Sequence, residues 1–210
     1  MNTAELREEK LKLSLNQFQK DVLVGLLLGD GHLETQNGGR TYRLKVEHAI
    51  SQLEYTKWLS EIFSGWTSGI YEKTKNGKKY VGFTTYSHPA FRFYAHQFYP
   101  EKKKVIPSLI HKLITDTSFA IWYLDDGSWK SKKHSTFIIH TLGFSKKDLE
   151  RVVEILKTKN VKAKLHSQKN KYWRLYILSE SSDEFLKIIF PIVSKFDSMK
   201  YKLGNNKPKE

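Results

Sequence analysis

Cysteine is absent from the 210 residues, which rules out disulfide bonds and zinc sites built on thiolates. Long apolar runs are missing too. The candidates at 22–28 and 185–193 fall short of the roughly 20 residues a helix needs to cross a bilayer. The opening stretch MNTAELREEKLKLS has mixed charge and no apolar segment, so a secretory signal is not expected. Nor is there a basic amphipathic helix with a Leu/Trp face to suggest a membrane surface. The eight histidines contain no HExxH-type pair, and none is assigned to catalysis. Acidic residues are scarce: 22 Asp and Glu stand against 36 Lys and Arg, a net charge of +14. Such an excess repels itself in a compact state and points to a polyanionic partner, nucleic acid first. With 39% hydrophobic and 13% aromatic residues the chain has the composition of a globular protein, expected to be soluble and intracellular.

The chemistry-bearing pattern occurs twice. LVGLLLGDG at 23–31 and FAIWYLDDG at 119–127 are both apolar for about two turns and both end in an acid and a glycine. Glycine is the usual exit from a helix. Around these motifs the periodicity predicts helices at about 16–28, 51–63 and 88–98, a strand at 41–48, and a hairpin of 67–73 with 79–86 turning at Asn76-Gly77. After the connector 101–107 the order repeats: a helix at 117–125, a strand at 135–141, a helix at 145–158, a hairpin of 161–167 with 171–178 turning at Lys169-Asn170, and a helix at 182–193. One more strand is expected after each motif, near 32–36 and 128–132. The prediction is an α+β fold of two αββαββα halves, 16–105 and 106–210, behind a polar lead-in at 1–15.

Gly25 and Gly29 lie four residues apart, so they share a helix face and let another backbone approach. Helices apolar nearly all round belong in the interior, and two of them pack most simply against each other. Asp30 and Asp126 would then sit at adjacent helix C-termini, where the macrodipole is already negative. Their repulsion is relieved by protonating one carboxylate or by a divalent cation. Hard oxygen donors favour magnesium, which also accepts phosphate oxygens and opens a route to phosphodiester hydrolysis. One such motif alone is usually a buried helix with a turn after it; the repetition, each time opening the same order of elements, carries the reading.

Further segments extend the pattern: EHAISQLEYTKWL after the first motif, KKKVIPSLI before the second, AIWYLDDGSW at it, and MKYKL near the end. Together these resemble the LAGLIDADG homing endonucleases in their single-chain, two-motif form, over roughly 16–204. The resemblance implies motif helices packed at the centre of a pseudo-two-fold molecule and two antiparallel sheets forming a DNA-binding saddle. It implies Asp30 and Asp126 as the metal-binding acids, with Lys104 and Lys202 as catalytic basic residues lining the site. It further implies Mg2+, with Ca2+ or Mn2+ as substitutes, and a monomer cutting a long double-stranded target across the minor groove to leave 3′ overhangs. The alternatives are an intron-RNA-binding splicing maturase or a non-cleaving DNA-binding protein on the same fold. There are departures from the family pattern: Leu28 replaces an earlier acid, Ile121 stands where the first copy has Gly25, and Asp125 precedes Asp126 with a carboxylate suited to capping or solvation.

Alternation within the strands predicts the nucleic-acid face. Arg43, Lys45 and Glu47 oppose Tyr42, Leu44 and Val46; Lys162, Lys164 and His166 oppose Val161, Ala163 and Leu165; Tyr172, Arg174 and Tyr176 oppose Trp173, Leu175 and Ile177. With Arg40, Lys73, Lys75, Lys78, Lys79, Lys169 and Lys171, these are the expected DNA contacts, many of them to phosphate and some to major-groove base edges. The aromatic set Phe91, Phe93, Tyr94, Phe98 and Tyr99 is expected in the core.

Overall fold

The computed structural model describes residues 12–130, 136–169, 172–204 and 207–208. Most of the lead-in, the far end of the strand expected at 128–132, Asn170 and Lys171 lie outside the described residues.

The first half runs α1 (Gln17–Leu28), β1 (His32–Glu34), β2 (Arg43–Ala49), α2 (Leu53–Ile62), β3 (Thr67–Lys75), β4 (Lys78–Thr85) and α3 (Arg92–Phe98). The second runs α4 (Asp116–Asp126), β5 (Gly127–Trp129), β6 (Phe137–Ile139), α5 (Lys146–Thr158), β7 (Ala163–Gln168), β8 (Tyr172–Ile177) and α6 (Ser182–Val193), followed by a 3-10 segment, Asp197–Leu203. Each half folds one antiparallel sheet, and the orders correspond: β1-β2-β4-β3 and β5-β6-β8-β7. Two expected helices are shorter than the periodicity suggests, because Ile50–Gln52 and Pro89–Phe91 wind as 3-10 turns first. At the second of these, Pro89 supplies no amide for an internal hydrogen bond and sits in the first turn, where none is needed.

The two motif helices pack on each other, and both begin with reciprocal caps. Asn16 Oδ1 accepts from the Gln19 amide at 2.8 Å while Gln19 Oε1 accepts from the Asn16 amide at 3.0 Å. Thr115 and Ser118 repeat the arrangement. Ser118 Oγ also donates across the interface to the Asp21 carbonyl at 2.8 Å. The expected close approach is real: a Cβ on Gly25 would stand 2.6 Å from Ile121 Cβ and 2.7 Å from the Ser118 carbonyl oxygen. The branched Ile121 thus fills the space that Gly25 leaves, so the pairing is not symmetric.

Each sheet buries one face. Leu44, Val46, Val81 and Phe83 in the first, and Ile139, Leu175 and Ile177 in the second, are fully buried. At roughly 1.5–3 kcal/mol per buried large aliphatic or Phe side chain, this is ample to hold each layer. The α2 helix lies over β2, β3 and β4, and α6 packs on α4. In the aromatic set, Phe91, Tyr94 and Phe98 are in the core, Tyr99 is partly buried, and Phe93 is 49% exposed against expectation. Phe93 lies on the outer side of the short α3, edge-on to Tyr94.

Candidate active site

Both motif helices deliver an acid at the same place, and a third carboxylate joins them. Asp125 stands in the second motif where Gly29, just past the end of α1, stands in the first. Because Gly29 has no side chain, the Asp125 carboxylate moves into the room it leaves: a Cβ there would lie 2.6 Å from Asp125 Cβ and 2.8 Å from Cγ. The Asp125 side chain is 0% exposed. Its Oδ2 accepts from the Asp30 amide at 2.9 Å and its Oδ1 from the Tyr55 hydroxyl at 3.0 Å. The Asp30 carboxylate is about half-exposed, 48%, at the mouth of the site. Asp126 Oδ2 accepts from the Trp122 indole N–H at 3.2 Å, one helical turn back. Asp126 also lines a cleft of about 350 Å³ with Leu28, Gly29, Lys104, His140 and Thr141.

Burial and neighbouring charge raise two of these acids, Asp126 and Asp30. Burial, and then the charges of Asp125 and Asp30, push the Asp126 carboxyl up to about 7. Asp30 is also raised, by burial and then by Asp125, with His48, Lys104 and Lys202 pulling the other way. Tyr55 is held far above the usual phenol range by its burial and its carboxylate partner.

The two predicted lysines arrive at the same place as helix caps. Lys104 Nζ donates to the Gly29 carbonyl at 2.6 Å and the Gly31 carbonyl at 2.9 Å. Lys202 Nζ donates to the Leu124 carbonyl at 2.5 Å and the Asp125 carbonyl at 3.2 Å. Each ammonium therefore neutralises the negative end of one motif helix and satisfies carbonyls that have no partner within it. Burial lowers both lysines while the three aspartates oppose the shift. Two of the three N–H donors of each ammonium are used in this way.

The chain matches the LAGLIDADG DNA endonuclease family over residues 20–185, the greater part of its length. It belongs to the LAGLIDADG DNA endonuclease family. It is 30% identical to the DNA endonuclease I-ChuI of Chlamydomonas applanata, over 92% of this chain and 97% of that protein. It is also 30% identical to the cytochrome b mRNA maturase bI2 of Saccharomyces cerevisiae, over 91% of this chain but 48% of the relative, so the chain spans about half of that protein. Among solved structures it resembles the homing endonuclease I-WcaI bound to its DNA recognition sequence, with TM-score 0.85 and 26% identity, covering 98% of this chain and 95% of that one.

As a LAGLIDADG protein the chain sets two further side chains, Asp125 and His48, beside its first motif acid. Asp125 turns inward against Asp30, which is the capping role left open by the sequence. His48, assigned no role above, is buried beside the same carboxylates. Its signal was visible in β2: Leu44, Val46 and His48 share the apolar face, so a histidine stands at a core position. Asp30, His48 and Asp125 form a group of donors able to hold a metal ion.

On the strands, Arg43, Lys45 and Glu47 share the outward side, paired across the ladder with Glu34, His32 and Gly82. Several are already engaged: Arg43 pairs with Glu34 at 2.5 Å and Lys73 with Glu47. Lys75, Lys78 and Lys79 are exposed around the β3–β4 turn, and Arg40 is exposed in the β1–β2 loop. In the second sheet Lys164 stands opposite Tyr176 and His166 opposite Arg174. His166 stacks on Tyr176, ring centroids 4.0 Å apart. Lys169 is exposed at the β7–β8 turn, Tyr172 is 38% exposed, and Lys162 sits just before β7, paired with Glu180 at 3.1 Å.

Proposed function

We propose that this chain is a site-specific DNA endonuclease that cuts both strands of a long target across the minor groove, leaving 3′ overhangs, and that it works as a monomer holding magnesium. The two halves, 16–105 and 106–210, each contribute one acid and one DNA-facing sheet. The observation that carries the reading is the meeting of Asp30 and Asp126 at paired helix ends, with two buried lysines tied to the carbonyls beneath them. The donor set fits a divalent cation. Three aspartates face two ammoniums, the oxygens are hard ligands, and burial followed by the charges of Asp125 and Asp30 pushes the Asp126 carboxyl up to about 7, a cost that a cation relieves. Asp30 and Asp126 hold the cation, for which Ca2+ or Mn2+ can substitute, and a bound cation supplies Lewis acidity toward a phosphodiester.

The chain's own residues do the rest. Lys104 lines the cleft beside Asp126 and orients attacking water there through its remaining N–H donor. Lys104 and Lys202 stabilise negative charge that grows on the phosphate, through the N–H donors not used by helix carbonyls. Arg40, Arg43, Lys45, Lys73, Lys75, Lys78, Lys79, Lys162, Lys164, His166, Lys169, Lys171, Tyr172, Arg174 and Tyr176, with Glu47 among them, track the duplex backbone and base edges.

The likeness to an mRNA maturase favours a second reading, in which the same basic face binds intron RNA. One experiment separates the two. Plasmid carrying the host gene with the intervening segment removed is incubated with the protein in Mg2+ and in EDTA. The nuclease reading expects linear product in Mg2+ only, abolished by Asp30→Asn and by Asp126→Asn with binding retained. Intact plasmid alongside tight binding of intron RNA would replace it with the maturase.

A further inference from the structure

The two motif acids do not have equivalent surroundings. The β1–β2 ladder pairs His32 with Lys45, and β5–β6 pairs Ser128 with Ile138. His32 and Ser128 each follow the motif glycine directly, so Lys45 corresponds to Ile138 and, three residues on, His48 corresponds to Thr141. Thr141 Oγ1 is occupied, donating to the Trp173 carbonyl at 2.8 Å. His48 is different.

The ring of His48 is 1% exposed. The Thr56 hydroxyl spends its one hydrogen on the Gln52 carbonyl at 3.1 Å, so toward His48 Nδ1, 2.9 Å away, it can only accept. Nδ1 therefore carries the proton, and in the neutral ring Nε2 presents a bare lone pair. Nε2 has no hydrogen-bond partner among the described residues. It points between two carboxylates, 3.6 Å from Asp125 Oδ1 and 3.9 Å from Asp30 Oδ2. Those separations are too long for hydrogen bonds. They match neighbouring ligands around a cation: donors at about 2.0–2.3 Å from a common centre stand roughly 3–4 Å apart. Tyr55 holds both sides of the arrangement, stacking on the imidazole with centroids 5.1 Å apart and donating to Asp125 Oδ1. A fixed tautomer, a clamped ring and a hydrogen-bonded carboxylate are what a protein supplies around a metal ligand.

We infer that Asp30, His48 Nε2 and Asp125 form a nitrogen-containing cation site belonging to the first half alone, selective for a first-row transition cation of the Mn2+ or Co2+ class over magnesium. The imidazole sets this preference, since nitrogen donors suit transition cations better than magnesium. The second half has no counterpart, because Thr141 replaces the histidine and Gly29 replaces the second carboxylate. The site deepens the nuclease reading and rests on it only for the role of Asp30, since the donors are the chain's own and need no DNA.

The test uses full-length protein stripped with EDTA, without DNA. Mn2+ is titrated in and the free ion is followed by electron paramagnetic resonance, with Co2+ absorption as a second probe. Wild type is expected to bind Mn2+ more tightly than Mg2+ in competition. His48→Gln and Asp125→Asn are expected to weaken Mn2+ by at least roughly 10- to 100-fold, the loss seen when merely a ligand's supporting hydrogen bond is removed. Loss of DNA cleavage in Asp126→Asn tests the nuclease reading, whereas Mn2+ affinity in His48→Gln without DNA tests the site, so the two readings fail separately. Long-range nitrogen-15 NMR of wild type covers the case in which a variant does not fold: His48 should be the Nδ1–H tautomer in metal-free protein, and its Nε2 resonance should move on adding diamagnetic Zn2+. Unchanged Mn2+ affinity in folded His48→Gln, or a His48 ring protonated on both nitrogens and indifferent to Zn2+, overturns the inference.

Discussion

Replacing Gly29 with alanine tests whether the site is built on an absent side chain. The new Cβ would stand 2.6 Å from Asp125 Cβ and 2.8 Å from Cγ, and nearer still to Oδ2. The φ of Gly29, −96°, lies outside the left-handed region. Alanine even restricts the unfolded chain, a gain of about 0.4–1 kcal/mol where its geometry fits. Against this, forcing extra volume into a packed interface costs about 1–3 kcal/mol. Expelling the Asp125 carboxylate also removes its bonds to the Asp30 amide and the Tyr55 hydroxyl. Hydrogen bonds to a charged group contribute about 1.5–3 kcal/mol each, though not additively. The clash wins, with a net loss of about 3 kcal/mol. In a chain of this size that is roughly 6–12 °C in melting temperature. Thermal unfolding in metal-free buffer measures it, with Gly143→Ala as the control. A Cβ at Gly143 meets nothing within 4 Å, so that variant should melt at or slightly above wild type. A Gly29→Ala protein melting within a degree of wild type would refute the idea that Asp125 depends on the space left by glycine.

Asp126 gives a pH prediction. Its folded carboxyl titrates at about 7, above the ordinary 3.8, so the folded state holds a proton the unfolded state has released and stability falls as pH rises from about 4 through 7. Asp126→Asn should therefore melt higher than wild type at pH 8, with the difference closing toward pH 4, even as it loses cleavage; equal melting at pH 8 would contradict the shift. Lys202→Met should destabilise by about 1–3 kcal/mol in urea unfolding, because the buried Leu124 and Asp125 carbonyls lose their donor. On the DNA face, Lys164→Ala should weaken binding across sequences and lower the slope of log affinity against log salt by about 1, read by fluorescence anisotropy from 50 to 200 mM salt.

Much of this architecture was legible because it follows from repeating periods. The apolar runs of about two turns closed by Gly located α1 and α4, and the two-residue alternation located β2, β7 and β8 within a residue or two. The Gly25–Gly29 face was readable from spacing alone. Phe93 was not, since an aromatic-rich helix seven residues long cannot bury every side, and composition does not say which ring faces out. Lys104 and Lys202 were placed at the site by the segments around them, but their attachment to the Gly29, Gly31, Leu124 and Asp125 carbonyls depends on segments some 75 residues away in sequence folding back onto the helix termini.

What the sequence concealed is how an internal repeat becomes unequal. The two motifs differ at one decisive position, glycine at 29 and aspartate at 125, and in isolation each reads as a local matter of helix termination. Only when the helices cross does the lack of a side chain on one become the pocket for a carboxylate on the other, and Asp125 passes into the first half's site. Once there it requires donors, which Tyr55 and the Asp30 amide provide. It also turns His48, an oddity on the apolar face of β2, into a neighbour of two acids. Asp126 is left with the Trp122 indole and an open cleft. A duplicated fold therefore places its acids symmetrically along the chain and asymmetrically in their chemistry, through the Gly29–Asp125 and His48–Thr141 differences acting together.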